Sequence, residues 1–213
     1  MAASNLAARR GAKANRRKAL VAQKRKLDFA AASPAGQALQ AAALPIRTCL
    51  LSEELFDTGM GTLILARGAT VGPIFFEAYL LDTFCRGVKD VMFRTMDQDQ
   101  LDFCIDRLEA ASPMTAVDPS YARKLVRDLV RWSRSIGFPP PREFAALERL
   151  FGDVDADACT TEFGFGQDGK PFYISGLNET TNDGLRAVKH LQTELGSGNF
   201  EYLVATPPML SGD

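Results

Sequence analysis

Hydrophobic and polar positions along this chain follow two rhythms, and each predicts a different kind of element. The longest apolar run, Phe75 to Arg94 (FFEAYLLDTFCRGVKDVMFR), is rich in aromatic and branched residues, as a central strand is. Charges interrupt it at Glu77, Asp82, Arg86, Lys89 and Asp90, and Gly87 inside it marks a bulge or a place where something approaches the backbone closely. Ile46 to Leu51 and Thr62 to Ala66 read as strands, and the loop from Gly68 to Gly72 turns the second back into the long run as an antiparallel hairpin. Between these two strands Ser52 caps a short helical turn that opens with Glu53 and Glu54.

The 3.6-residue rhythm takes over further along. Asp97 to Ala110 predicts a helix with Leu101, Ile105 and Leu108 inward. The clearest helix is Ser120 to Ile136, where Ala122, Leu125, Val126, Leu129, Trp132 and Ile136 recur on one side. Gly137 and the run Pro139-Pro140-Pro141 end it. Pro113 and Pro119 frame a loop. A shorter helix spans Arg142 to Phe151, followed by the acidic loop GDVDADAC. Asp168-Gly169 signals a turn between Thr161–Phe165 and Pro171–Ser175, a second hairpin. A helix from Thr181 to Leu195 and a strand from Phe200 to Ala205 follow. Paired strands with helices between them predict an α+β fold, a mostly antiparallel sheet of hairpins with packed helices.

Before Ile46 the pattern is different. Residues 1–27 are rich in Ala, Arg and Lys with no regular apolar face, which predicts a flexible basic arm that turns helical on meeting an anion. Residues 28–45 read as an Ala-rich linker with at most a short helix between Pro34 and Pro45, residues 46–206 as a single domain, and 207–213 as a flexible tail.

Charge sharpens this division. The chain of 213 residues carries 25 Lys and Arg against 26 Asp and Glu, a net of −1. Its first 26 residues hold nine of the basic ones (Arg9, Arg10, Lys13, Arg16, Arg17, Lys18, Lys24, Arg25 and Lys26) and no acid. The rest therefore has 16 basic and 26 acidic residues, a net of −10. Lys and Arg on a mobile segment neutralise phosphates and gain affinity from counterion release, so the arm points to nucleic acid, RNA or the ribosome above all. On the Ser120–Ile136 helix, Arg123, Arg127, Arg131 and Arg134 share a face with Lys124 alongside, a stripe that either extends that phosphate track or is the solvated side of an amphipathic helix.

Other motifs carry less. Asp57-Thr58-Gly59 has the triplet of aspartic peptidases, but no second copy supplies the partner carboxylate. Gly164 to Lys170 (GFGQDGK) imitates a phosphate loop, yet Pro171 and a strand follow where a helix must start. Asp153, Asp155 and Asp157 have the opening spacing of a calcium loop, with Ala158 and Gly164 where Gly and Glu belong; a helix-capping acidic loop is the plainer reading. Glu77, Asp82, Lys89 and Asp90 are the candidates for a divalent metal and phosphodiester hydrolysis, against a structural ion pair at a sheet edge. His190, the one histidine, reads as surface. Cys49, Cys85, Cys104 and Cys159 show no CxxC spacing and fit small core residues in a reducing cytoplasm. No cofactor is indicated. No apolar stretch reaches the roughly 18 residues that span a bilayer, and the basic N-terminus lacks the apolar segment of a secretory signal.

Taken together, GMGTLILAR, YLLDTFCRGVKDVMFR, ARKLVRDLVRWSRSIGFPP, LFGDVDADAC and FGQDGKPFYISGLNET resemble an uncharacterised bacterial protein family, sometimes found next to SEC-C-type metal-binding tails. The resemblance covers most of residues 46–205 and implies a bacterial cytoplasmic protein without implying any catalysis. Members also begin with Lys/Arg-rich segments, which favours a functional arm. The expectation is thus a non-enzymatic, cytoplasmic, nucleic-acid-associated protein whose acidic body offers a protein-binding or positioning surface. The alternatives are a metal-dependent nucleic-acid hydrolase and a protein–protein adaptor.

Overall fold

A computed structural model describes residues 33–176 and 179–205. All nine basic residues of the arm lie outside them. Strands β1 (Ile46–Ser52), β2 (Met60–Gly68), β3 (Ile74–Asp82), β4 (Gly87–Met96) and β5 (Met114–Ala116) form one antiparallel sheet in the order β4-β3-β2-β1-β5. The fold is α+β. Both faces of the sheet are covered, so β2 is apolar on successive residues instead of alternating. On one face Leu63, Leu65, Tyr79, Leu81 and Val88 pack under Leu125, Val126 and Leu129 of helix α4 (Pro119–Ser135). On the other, Ile64, Ala66, Phe76 and Ala78 meet Leu101 of helix α3 (Gln98–Glu109), with Ile105 and Leu108 half-buried beside it. Helix α3 starts at a reciprocal cap, in which the Asp97 carboxylate accepts from the Gln100 amide and the Gln100 side chain accepts from the Asp97 amide.

The long apolar run is not one strand. It bends between β3 and β4 at Thr83–Arg86, where the buried Asp82 carboxylate accepts the amides of Phe84 (3.1 Å) and Cys85 (2.8 Å). The register slips by one residue at Lys89, a bulge, because Leu80 pairs with Asp90 but Leu81 with Val88. Gly87, next to it, has φ +73°, and a Cβ there would lie 2.3 Å from Ser133 Oγ of α4. The close approach expected at this glycine is that of the helix to the hairpin.

Three further local readings change. Ser52 caps nothing: it is buried in β1, and its hydroxyl accepts from the Thr62 amide at 2.9 Å, while the short helix α2 (Leu55–Thr58) follows Glu54 without a side-chain cap. Helix α1 (Pro34–Ala41), capped by Ser33, buries Ala38 and Ala41 completely in the main core, so the core reaches into the stretch taken for a linker. The Arg142–Phe151 segment is helix α5 (Phe144–Leu147) tightening into a 3₁₀ turn, Glu148–Phe151.

The last quarter departs most. Asp168 (φ 50°) and Gly169 (φ 77°) do form a turn, closed by Gln167 and Lys170. Yet β6 (Phe172–Ile174) does not pair back onto 161–165. It pairs in parallel with β7 (Glu201–Leu203), across helix α6 (Thr181–Leu195). This β-α-β unit hangs on the β3–β4 turn, where Gly166 and Phe172 donate to the carbonyls of Thr83 and Phe84. A small third core of Cys85, Ile136, Tyr173 and Leu191 seals the junction. No helix among the described residues is long and apolar enough to cross a membrane.

Candidate functional site

Helix α4 divides the basic stripe into members with different tasks. Arg123 is turned inward: its Nε donates to Glu148 (3.1 Å), its Nη1 donates to the carbonyls of Gly152 (2.9 Å) and Val154, and its guanidinium lies over Phe151. It ties the loop after α5 to α4 and is not free to meet a phosphate. Arg127 also pairs with Glu148, at 2.9 Å, but remains half exposed. Lys124 and Arg131 share Asp128, at 2.6 and 3.1 Å. Arg131 and Arg134 stand out in solvent.

Beside the outer part of this stripe runs an open groove of about 520 Å³, lined by Lys124, Asp128, Arg131, Trp132, Phe163 and Phe165 among others. Its wall is aromatic. Trp132 meets Phe165 (ring centroids 5.4 Å apart), Tyr121 meets Phe163 edge-on (5.0 Å), and Lys124 Nζ sits over Phe163 (5.1 Å). The extended 160–165 segment lays Phe163 and Phe165 on α4, two residues apart and so on one side. Flat rings flanked by guanidinium groups are what an unstacked base beside its phosphates requires.

The four candidates for metal-dependent hydrolysis do not meet. Glu77 faces the α4 side of the sheet, wholly buried. Asp82 is spent on the turn amides, and burial still raises its carboxyl above the ordinary range despite those amides and Lys89. Lys89 reaches Glu179 (3.7 Å), and Asp90 accepts its neighbour's amide at the exposed sheet edge. Asp155 caps the 3₁₀ turn Ala156–Ala158 by accepting from Asp157, the plainer of the two readings, while Asp153 stands in solvent 3.9 Å from Arg67. Among the described residues no three His, Cys, Asp or Glu side chains are grouped to hold a metal. Cys49 and Cys85 are buried, and burial pushes the Cys49 thiol up to about 12, so neither is a nucleophile at neutral pH.

Glu77 is the odd group of the interior. Among the described residues neither carboxyl oxygen makes a hydrogen bond of good geometry, and nor does the Tyr79 hydroxyl on the same face of β3, although the two groups lie close enough to influence each other. Burial pushes the Glu77 carboxyl well above the usual range; nearby Tyr79 draws it back in part, and Glu148 adds to the rise.

The best-built polar cluster centres on Glu179, a residue that the sequence pattern did not single out. Glu179, just ahead of α6, takes Arg86 and Lys89 on Oε1 and the Tyr173 hydroxyl and Gly176 amide on Oε2. Burial pushes its carboxyl up, but these four partners outweigh it and hold it below the usual carboxylate range. Beside it lies a cleft of about 430 Å³ lined by Arg86, Phe138, Glu179, Asp183, Arg186, Ala187 and His190. His190 is not simply surface: its Nε2 donates to the Gly137 carbonyl (2.9 Å) and its ring packs on Phe138. Besides Lys89, the readable signal here was Thr180-x-x-Asp183, the reciprocal cap that starts α6.

The chain matches no protein-family model, no curated protein and no solved structure. Its functional reading therefore rests on its own residues.

Proposed function

We propose that this protein binds RNA through its phosphate backbone, without catalysing a reaction on it. The observation that carries this reading is the separation of charge: nine basic residues and no acid in the first 26 positions, against a net of −10 over the rest. A polyanion is drawn to the first part and repelled by most of the second. Helix α3 illustrates the repulsion, with Asp99, Asp102, Asp106 and Glu109 all exposed. The outer stripe of α4 is the exception on the body. Arg127, Arg131 and Arg134 continue a phosphate track there, and Trp132 and Phe165 give a single-stranded base a surface to stack on. Arg123, which holds the fold together, has no part in it.

The test is binding of a structured RNA with single-stranded loops by the full chain and by residues 28–213, across a salt series. The full chain is expected to lose affinity steeply with salt, with a log–log slope between about −4 and −8 if most of the nine cations are engaged. Truncation should flatten that slope, and Arg131→Gln with Arg134→Gln should weaken what is left. Equal affinity and equal slope for both chains would defeat the assignment to the arm, and no binding by either would defeat the function.

A further inference from the structure

Around Glu179 and Asp183 the hydrogen-bonding capacity is lopsided. Both oxygens of Glu179 are taken, by Arg86 and Lys89 on one and by Tyr173 and Gly176 on the other. Asp183 is likewise committed: Oδ2 accepts the Thr180 amide and hydroxyl, and Oδ1 takes Arg186 at 3.3 Å. The two acids of the cleft thus have little left to offer a ligand. The cations keep donors in hand. Arg86 uses only Nη1, and its Nε and Nη2 have no partner among the described residues. Arg186 is 79% exposed, and its one polar partner among the described residues is Asp183, reached by the long bond from Nη1. Among the lining residues two cations face two carboxylates, and Lys89, behind Glu179, adds a third positive charge to the cluster.

The walls add a second requirement. Phe138 forms an apolar flank, held between the Arg86 guanidinium (5.9 Å from the ring centroid) and the His190 ring (5.0 Å). Donating Nε2–H to Gly137 leaves the other His190 nitrogen, Nδ1, uncommitted. A volume of about 430 Å³ exceeds what an inorganic anion fills.

We propose that the cleft between Phe138 and helix α6 is a binding site for a small organic phosphate, its oxygens held by Arg86 and Arg186 and its organic part lying against Phe138. Guanidinium groups suit this because they present planar, paired donors to a phosphate. Lys89 contributes indirectly: by sharing Glu179 with Arg86 it leaves the outer donors of Arg86 available. The site is separate from the α4 groove, since the two have no lining residue in common.

Phenyl phosphate and inorganic phosphate, titrated separately into the full-length protein and followed by backbone amide NMR, test the proposal. Saturable shifts at Arg86, Phe138 and residues 183–190 are expected with phenyl phosphate, and weaker binding at the same amides with inorganic phosphate, which lacks the ring. Arg186→Gln removes an exposed side chain and leaves the fold intact, so an unchanged melting temperature should accompany a loss of affinity of about tenfold or more. RNA affinity should not change in this variant, which separates failure of the cleft from failure of the RNA reading. Shifts that stay linear up to about 10 mM, shifts confined to the basic arm, or saturable binding untouched by Arg186→Gln would each overturn it.

Discussion

Two places in this molecule combine a glutamate, a tyrosine and nearby arginines, and they behave in opposite ways. Under α4, Glu77 and Tyr79 are fully buried, and among the described residues neither makes a well-formed hydrogen bond, their mutual interaction aside, while Arg123 on the same side of the sheet is spent on Glu148 and two carbonyls. At the junction with the β-α-β unit, Glu179 and Tyr173 bond each other, and Arg86, Lys89 and the Gly176 amide complete the carboxylate. The carboxyl of the first is driven up by burial; that of the second is held down by its partners despite burial. Residue types alone decide neither outcome. What decides it is whether the donors nearby are still free when the carboxylate arrives.

Removing the matched carboxylate should have the largest effect. Glu179→Ala leaves Arg86, Lys89 and the Tyr173 hydroxyl without their shared acceptor and should cost about 2–3 kcal/mol in denaturant unfolding. The sign with pH follows from the depressed carboxyl. Its stabilisation is present above the unfolded-state range near 4.3 and fades as pH falls through the folded-state value, so the wild type and Glu179→Gln should converge in acid. A gap that stays constant with pH would mean that the ion pairs contribute nothing.

Glu77→Met is the converse. It replaces an unpartnered buried carboxyl with an apolar chain of similar length and should raise stability by about 1–3 kcal/mol at neutral pH. Because the folded-state carboxyl is raised, its penalty is absent below the unfolded-state range and grows as pH rises above about 4.3, so here the gap opens with pH. A variant no more stable than the wild type at pH 7 would show that Glu77 is compensated in some other way. The smallest contrast is between the two tyrosines: Tyr173→Phe should lose about 1 kcal/mol and Tyr79→Phe clearly less, both read by thermal melting.

The same contrast marks how far the sequence could be read. Helices with a strong period were legible close to their ends: Thr181–Leu195 is observed at those residues, and α3 and α4 fall within a residue of expectation. Strand β5 was not, because three residues become a strand only by lying beside β1. Nor was the parallel pairing of β6 with β7, which joins segments nearly thirty residues apart while the local Asp168-Gly169 turn advertised a hairpin. A short helix between Pro34 and Pro45 was foreseen, but not that it belongs to the core, because the contact is made by alanines, which carry little hydrophobic signal in a sequence. The Glu179 cluster suffered most. Lys89 was visible as a candidate, but the partners its place in the chain offered were the acids close by, Glu77, Asp82 and Asp90. Only the docking of the β-α-β unit brings it to a carboxylate ninety residues away.

The contact between Gly87 and Ser133 limits which mutations this hairpin and helix can accept. A methyl group on residue 87 would meet both Oγ and Cβ of Ser133, at 2.3 and 2.5 Å, so trimming the serine to alanine would not make room. Only glycine at 133 would remove the clash, at about 1 kcal/mol for a glycine inside a helix, and the left-handed backbone at 87 would still cost a further 1–2 kcal/mol or so. No single step away from glycine at 87 is cheap, so tolerance at this position depends on a residue far away in the chain.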